Sequence, residues 1–222
     1  GKTRTGLGFA LKHANFNNMD RVIVVIPYTN IIEQTAKTYK EILGKENILE
    51  HHSNFDFSED EEEYNKEKIK LATENWDMPV VITTSVQFFE SLFSHKTSKL
   101  RKLHNLANSV VIFDEVQTLP PEYLNSILQV LKQLVKNYNS SIMFSTATQP
   151  AFEDRDKFNG IKNLEELVPN TDNLFQNLAR VEYDLTHIEK KLNWNQVAEI
   201  MLEEKQALTV VNTKDDAKEL YS

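Results

Sequence analysis

The chain has 222 residues, 40% hydrophobic and 26% charged, enough for one large domain or one and a half smaller ones. It contains no cysteine, which excludes disulfides and thiolate metal sites and fits a reducing cytoplasm. A net charge of −8 gives no general support to a polyanionic partner, and no apolar run is long enough to span a membrane.

In chain order, Gly1-Lys2-Thr3 comes first and has the form of the end of a phosphate loop. In that device, backbone N–H groups hold phosphates, the lysine offsets their charge and the hydroxyl of Thr3 binds Mg²⁺. A strand is predicted over Arg21–Pro27 and a helix from Asn30 to Leu43, stopped by Gly44. Between them Thr29 and Asn30 place a hydroxyl and an amide at a helix N-terminus, where a backbone phosphate of DNA or RNA could sit; helix capping explains the same residues. His51-His52 reads as a surface or loop feature, because adjacent histidines do not point at one metal. Six acids follow between Asp56 and Glu63, carrying most of the excess negative charge, and read as a solvated loop leading into a helix.

A second strand is predicted over Pro79–Thr84, ending in the same design, with Thr84 and Gln87 at the next helix start. Phe88, Phe89, Leu92 and Phe93 read as core rather than as a base-stacking platform. Lys96, Lys99, Arg101 and Lys102 form a small basic stretch that could serve a nucleic-acid groove locally. The strand Ser109–Asp114 delivers Asp114-Glu115 to its C-terminal edge, where ligands bind in open α/β sheets. An aspartate there can hold Mg²⁺ through water, and the adjacent glutamate can orient the attacking water. A helix starting at Pro121 carries Leu124, Ile127, Leu128, Leu131, Leu134 and Val135 as a core stripe. The strand Ser141–Ser145 runs into Ser145-Thr146-Ala147-Thr148, whose hydroxyls can cap a turn or relay the state of a γ-phosphate. From Gln149 to Asn177 the pattern loosens around Pro150, Gly160 and Pro169. A strand near Ala179–Tyr183, a helix over Trp194–Glu204 and a strand at Ala207–Val211 are expected to open a second domain.

Apolar strands alternating with amphipathic helices predict an α/β fold with a mostly parallel sheet covered on both faces. Gly-Lys-Thr, Asp-Glu and Ser-Thr-Ala-Thr, in this order, resemble the motifs of superfamily 2 helicases. The blocks PYTNIIEQTAKTYKEILG, LEHHSNFDF, ATENWDMPVVITTSVQFFESLFSHKTSKLRKLHNLANSVVIFDEVQTLPPEYL and FSTATQP closely resemble the CRISPR-associated helicase-nuclease of type I interference systems. The resemblance covers nearly all of residues 1 to 152 and returns at Val210-Val211-Asn212-Thr213.

That resemblance implies a RecA-like motor domain over 1–178 and the start of a second over 179–222. It implies ATP and Mg²⁺ as ligands, single-stranded DNA as the track, and recruitment by an RNA-guided surveillance complex. By position, Gly1, Lys2 and Thr3 would bind nucleotide, Thr3 and Asp114 would hold Mg²⁺, and Glu115 would be the catalytic carboxylate. Ser145, Thr146 and Thr148 would couple hydrolysis to movement. Gln117 stands where many helicases of this superfamily have histidine, so its part in coupling is open. No His-Asp dipeptide is present, so the partner nuclease domain is not expected within this sequence. The chain would then start inside its phosphate loop, and alone it is expected not to turn over ATP. The rival readings are another superfamily 2 motor, on RNA or DNA, and a catalytically incomplete interaction fragment.

Overall fold

The computed structural model describes residues 2–52, 63–146, 152–156, 158–168, 176, 180–188 and 191–221, with the backbone alone at 63–66. The chain divides into two compact units, Gly1–Glu165 and Glu166–Ser222.

In the first unit, five strands are found among the described residues: β1 (Arg21–Ile26), β2 (Ile48–His51), β3 (Val80–Thr84), β4 (Ser109–Asp114) and β5 (Ser141–Ser145). They form one parallel sheet in the order β2-β3-β1-β4-β5. Parallel strands need long crossovers, and helices supply them. The crossovers run through α2 (Thr29–Leu43), α3 (Glu63–Asn75), α4 (Ser85–Phe93), α5 (Thr97–Leu100) and α6 (Leu124–Asn137), while α1 (Lys2–Phe16) precedes β1. The sheet is parallel, as the strand pattern predicts, and RecA-like, as the family resemblance implies.

Alternation along each strand sends its residues to two separate cores. Val22, Val24, Ile26, Val80, Ile82, Val110 and Ile112 pack under α1 and α2. Ile23, Val25, Val81, Val111 and Phe113 face the other way and meet Trp76, Phe88, Ile127 and Leu131. Because both faces are covered, the strands can be apolar throughout, and truncating one of these side chains to alanine would cost about 2–5 kcal/mol. β1 thus leads into α2 on one face, while β4 leads toward α6 on the other. The crevice at the C-terminal ends of β1 and β4 is therefore a topological switch point.

Several local expectations need correction. The helix expected at Pro121 begins as a 3₁₀ turn over Pro121–Tyr123 before α6, whose stripe is Ile127, Leu128, Leu131 and Leu134, with Val135 half-exposed. Gly44 ends α2 at a positive φ of 85°, as expected, but with ψ 143° instead of the left-handed helical value. His51 and His52 are not surface residues. His51 ends β2 and its Nδ1 accepts the indole N–H of the buried Trp76 at 2.9 Å, while His52 is itself buried. The basic stretch is largely spent on structure. Lys99 pairs with Glu90, Arg101 pairs with Glu74, and Lys102 is buried with its amine 5.8 Å from the Trp76 ring centre. Phe88 is core as predicted, whereas Phe93 is half-exposed.

In the second unit, α7 (Trp194–Glu203) starts at a capping box in which Asn193 and Gln196 exchange side-chain and backbone bonds; α8 covers Lys214–Tyr221. The strand expected at Ala207–Val211 is extended chain with Leu208 and Val210 exposed, and Arg180–Tyr183 is likewise irregular. A strand exists only with a neighbour to bond, and the described residues of this unit supply none. Among the described residues, no helix is long and apolar enough to cross a membrane.

Candidate nucleotide site

β4 ends because the backbone turns sharply at Glu115, which adopts a left-handed conformation with φ 49°. Thr118 closes that turn: its N–H and its hydroxyl both donate to the Glu115 carbonyl, at 3.0 and 2.8 Å. A non-glycine residue in this region is uncommon and costs energy, a feature that clusters at functional sites. Asp114 is the last strand residue, and its Oδ1 accepts from the Glu115 N–H at 3.1 Å.

Three segments converge at this edge. Lys2, in the first turn of α1, donates from Nζ to Glu115 Oε1 at 2.9 Å and lies 3.4 Å from Asp114 Oδ1. Ser145, at the end of β5 and in register with Asp114, donates to Asp114 Oδ1 at 3.0 Å. Gln117 donates its amide N–H to Glu115 Oε2 at 2.6 Å and accepts the Thr146 hydroxyl on Oε1 at 2.6 Å. A continuous path of contacts therefore runs from Lys2 through Glu115 and Gln117 to Thr146.

The charges in this path support one another. Burial opposes the charged form of Lys2, but its bond to Glu115 and the two nearby carboxylates outweigh that, and its pKa is raised. The hydrogen bonds from Lys2 and Gln117 hold the Glu115 carboxyl below its ordinary pKa. Below these contacts, a small pocket is lined by Lys2, Thr3, Asp114 and Ser145 together with Thr35 and Tyr39. The Asp114 carboxylate and the Thr3 hydroxyl are hard oxygen donors of the kind that suit Mg²⁺, which takes few protein ligands and completes its shell with phosphate and water.

Gly1, Ala147 and Thr148 lie outside the described residues. Thr29 and Asn30 form the first turn of α2, whose N-cap position, Tyr28, offers no side-chain bond. Thr84 is different. Its Oγ1 accepts from the Gln87 N–H at 3.1 Å, and its side chain is buried as the N-cap of α4. Both helix starts stand at the same sheet edge as Asp114, following β1 and β3. Sequence reasoning missed two polar residues of this pocket, Thr35 and Tyr39: helical spacing from Ile32 signals that Tyr39 is buried, but not what its hydroxyl meets.

The chain is 33% identical, over 68% of its own length, to the CRISPR-associated nuclease/helicase Cas3 of Haloferax volcanii, covering 18% of that protein. It is 28% identical, over its full length, to the putative CRISPR-associated nuclease/helicase Cas3 of Methanocaldococcus jannaschii, covering 32% of that protein. These relatives are of the kind that the motif blocks anticipate, and the chain spans no more than about a third of their length. The sequence profile of the DEAD/DEAH box helicases matches residues 1–156. Since that match takes in most of the chain and runs through all five strands and the crevice between them, the chain belongs to the DEAD/DEAH box helicase family.

Proposed function

We propose that this chain is part of the motor of an ATP-driven helicase that moves along single-stranded DNA in CRISPR defence, brought to its target by an RNA-guided surveillance complex. A nuclease acting on the same strand would be its partner. The observation that carries the reading is the path from Lys2 through Glu115 and Gln117 to Thr146, which joins three helicase motifs by direct hydrogen bonds. The names of the two relatives support the CRISPR setting.

In this reading Lys2 leaves Glu115 for a phosphate oxygen when ATP arrives, since it offers charge that both partners compete for. Glu115, released and held ionised, accepts a hydrogen bond from the attacking water and orients it. Asp114 and Thr3 would hold Mg²⁺, which when bound offsets phosphate charge, and Ser145 donates to Asp114 beside them. Gln117 feels the change at Glu115 and passes it to Thr146. Thr29 and Asn30 contact the DNA backbone without reading bases, as a translocase requires.

Tests belong in the full-length protein. Lys2→Ala should weaken nucleotide binding, while Glu115→Gln should keep binding and slow phosphate release by about 100-fold or more. Turnover in Glu115→Gln equal to wild type would remove that residue from the mechanism. Stimulation by single-stranded RNA rather than DNA would favour a different motor of the same superfamily.

A further inference from the structure

One helix touches both places that this reading assigns to different ligands. The N-terminus of α2 carries Thr29 and Asn30, and its inner face buries Ile32, Thr35, Ala36 and Tyr39. Those positions form one stripe, so α2 lies along the sheet as a single rod. Ile32 and Ala36 meet only apolar demands. Tyr39 does not: its side chain is 2% exposed, and its hydroxyl donates to the backbone carbonyl of Thr3 at 3.2 Å. Thr3 lies in the first turn of α1, beside Lys2. Burial, with the nearby charge of Asp114, pushes the phenol up to about 12, so it remains a neutral donor at any physiological pH. A site wanting only an apolar ring would be served by phenylalanine; a buried hydroxyl must find a partner, and here the partner is the backbone of the proposed nucleotide-binding turn.

We propose that Tyr39 is a positioning residue that couples the two sites: its bond to Thr3 holds the first turn of α1 in register with α2, so that a nucleic-acid phosphate at Thr29 and Asn30 and a nucleotide phosphate at Lys2 favour the same placement of the two helices. The proposal rests on the roles given to those residues above. Ten residues of helix separate Thr29 from Tyr39, about 15 Å of rod, long enough to span the two sites and too short to bend much. A second tether offers a contrast. Lys40, the next residue, pairs with the buried Glu50 of β2 and so fastens α2 to the sheet edge. That bond anchors the same helix to β2 instead of α1.

The test uses the full-length protein as wild type, Tyr39→Phe and Lys40→Gln. A fluorescent ATP analogue is titrated with and without a single-stranded DNA oligonucleotide, and thermal midpoints are recorded for each variant. Wild type should bind the analogue about 5-fold or more tightly when DNA is present, the usual size of a coupling between two sites. Tyr39→Phe should bind each ligand alone nearly as wild type does and lose most of that gain. Lys40→Gln should melt earlier and keep the gain. Unchanged coupling in Tyr39→Phe, equal loss in Lys40→Gln, or a wild type that binds both ligands without coupling would each overturn the role of Tyr39. A wild type that binds neither ATP nor DNA would instead bring down the functional reading beneath it.

Discussion

A primary amide donates and accepts at once without changing its charge, and the position between Glu115 and Thr146 uses both abilities of Gln117. Histidine at that place could do the same only while its ring is neutral. Once protonated, both ring nitrogens are donors, and the Thr146 hydroxyl loses its acceptor. Gln117→His should therefore keep DNA-stimulated phosphate release at alkaline pH and lose it as the pH falls through the imidazole range, near 6.5. The adjacent Glu115 carboxylate favours the imidazolium, so the inflection should lie above that value. The ratio of variant to wild-type rate, measured across pH, reads this directly; a flat ratio would mean that the Thr146 contact carries nothing. Gln117→Leu, which removes both bonds, should lose the stimulation at every pH.

Among the elements, the two helix starts at the sheet edge differ in a way that separates capping from ligand binding. Thr84 already satisfies a backbone donor of α4, whereas Tyr28 leaves the first N–H groups of α2 without a side-chain cap. Thr84→Ala should cost about 1 kcal/mol of stability, seen as a lower midpoint in urea, with a small effect on DNA affinity. Thr29→Ala with Asn30→Ala should do the opposite, weakening single-stranded DNA binding evenly across sequences. Equal DNA effects at the two sites would reduce both to caps or raise both to contacts. The same contrast marks what the sequence can tell. The ends of β1, β3, β4 and β5 agree with the apolar runs to within a residue, because a strand covered on both faces is a continuous hydrophobic word. β2 escaped notice because Glu50 interrupts so short a run; Lys40, brought across by α2, is what lets that carboxylate be buried. Conversely, Ala207–Val211 has the composition of a strand and is not one, since pairing depends on a neighbour that composition does not supply. Motif chemistry pointed to Lys2, Asp114, Glu115 and Ser145 at one edge, while Tyr39 looked like any other buried aromatic.

On the scale of the whole molecule, His51 makes stability depend on pH. Burial, the charge of Lys102 and His52 lower its pKa to about 4, and its Nδ1 is already committed as the acceptor for Trp76. Protonation would set a donor against a donor. An unfolded chain takes up that proton near pH 6.5, the folded one only near 4, so this group leaves stability unaffected above about 6.5 and subtracts from it progressively as the pH falls toward 4. The loss should be on the order of 2 kcal/mol, measured as the change in unfolding free energy between about pH 7.5 and about pH 4.5. In His51→Gln, whose amide oxygen can still accept from Trp76, the slope should flatten; a slope as steep as wild type would assign it to other groups. The strand order has a consequence of another kind. β1, the first of the described strands, stands at the centre of the sheet, and Lys2 meets a carboxylate 113 residues further along. A chain emerging from the ribosome has no such site until β4 has docked beside β1 and β5 beside β4, and non-local parallel pairing of this sort is slow. A nucleotide that binds only the finished arrangement would withdraw it from the folding equilibrium, by RT ln(1 + [L]/Kd). Fuel would then act first as a clasp, closing the sheet before it ever drives a step.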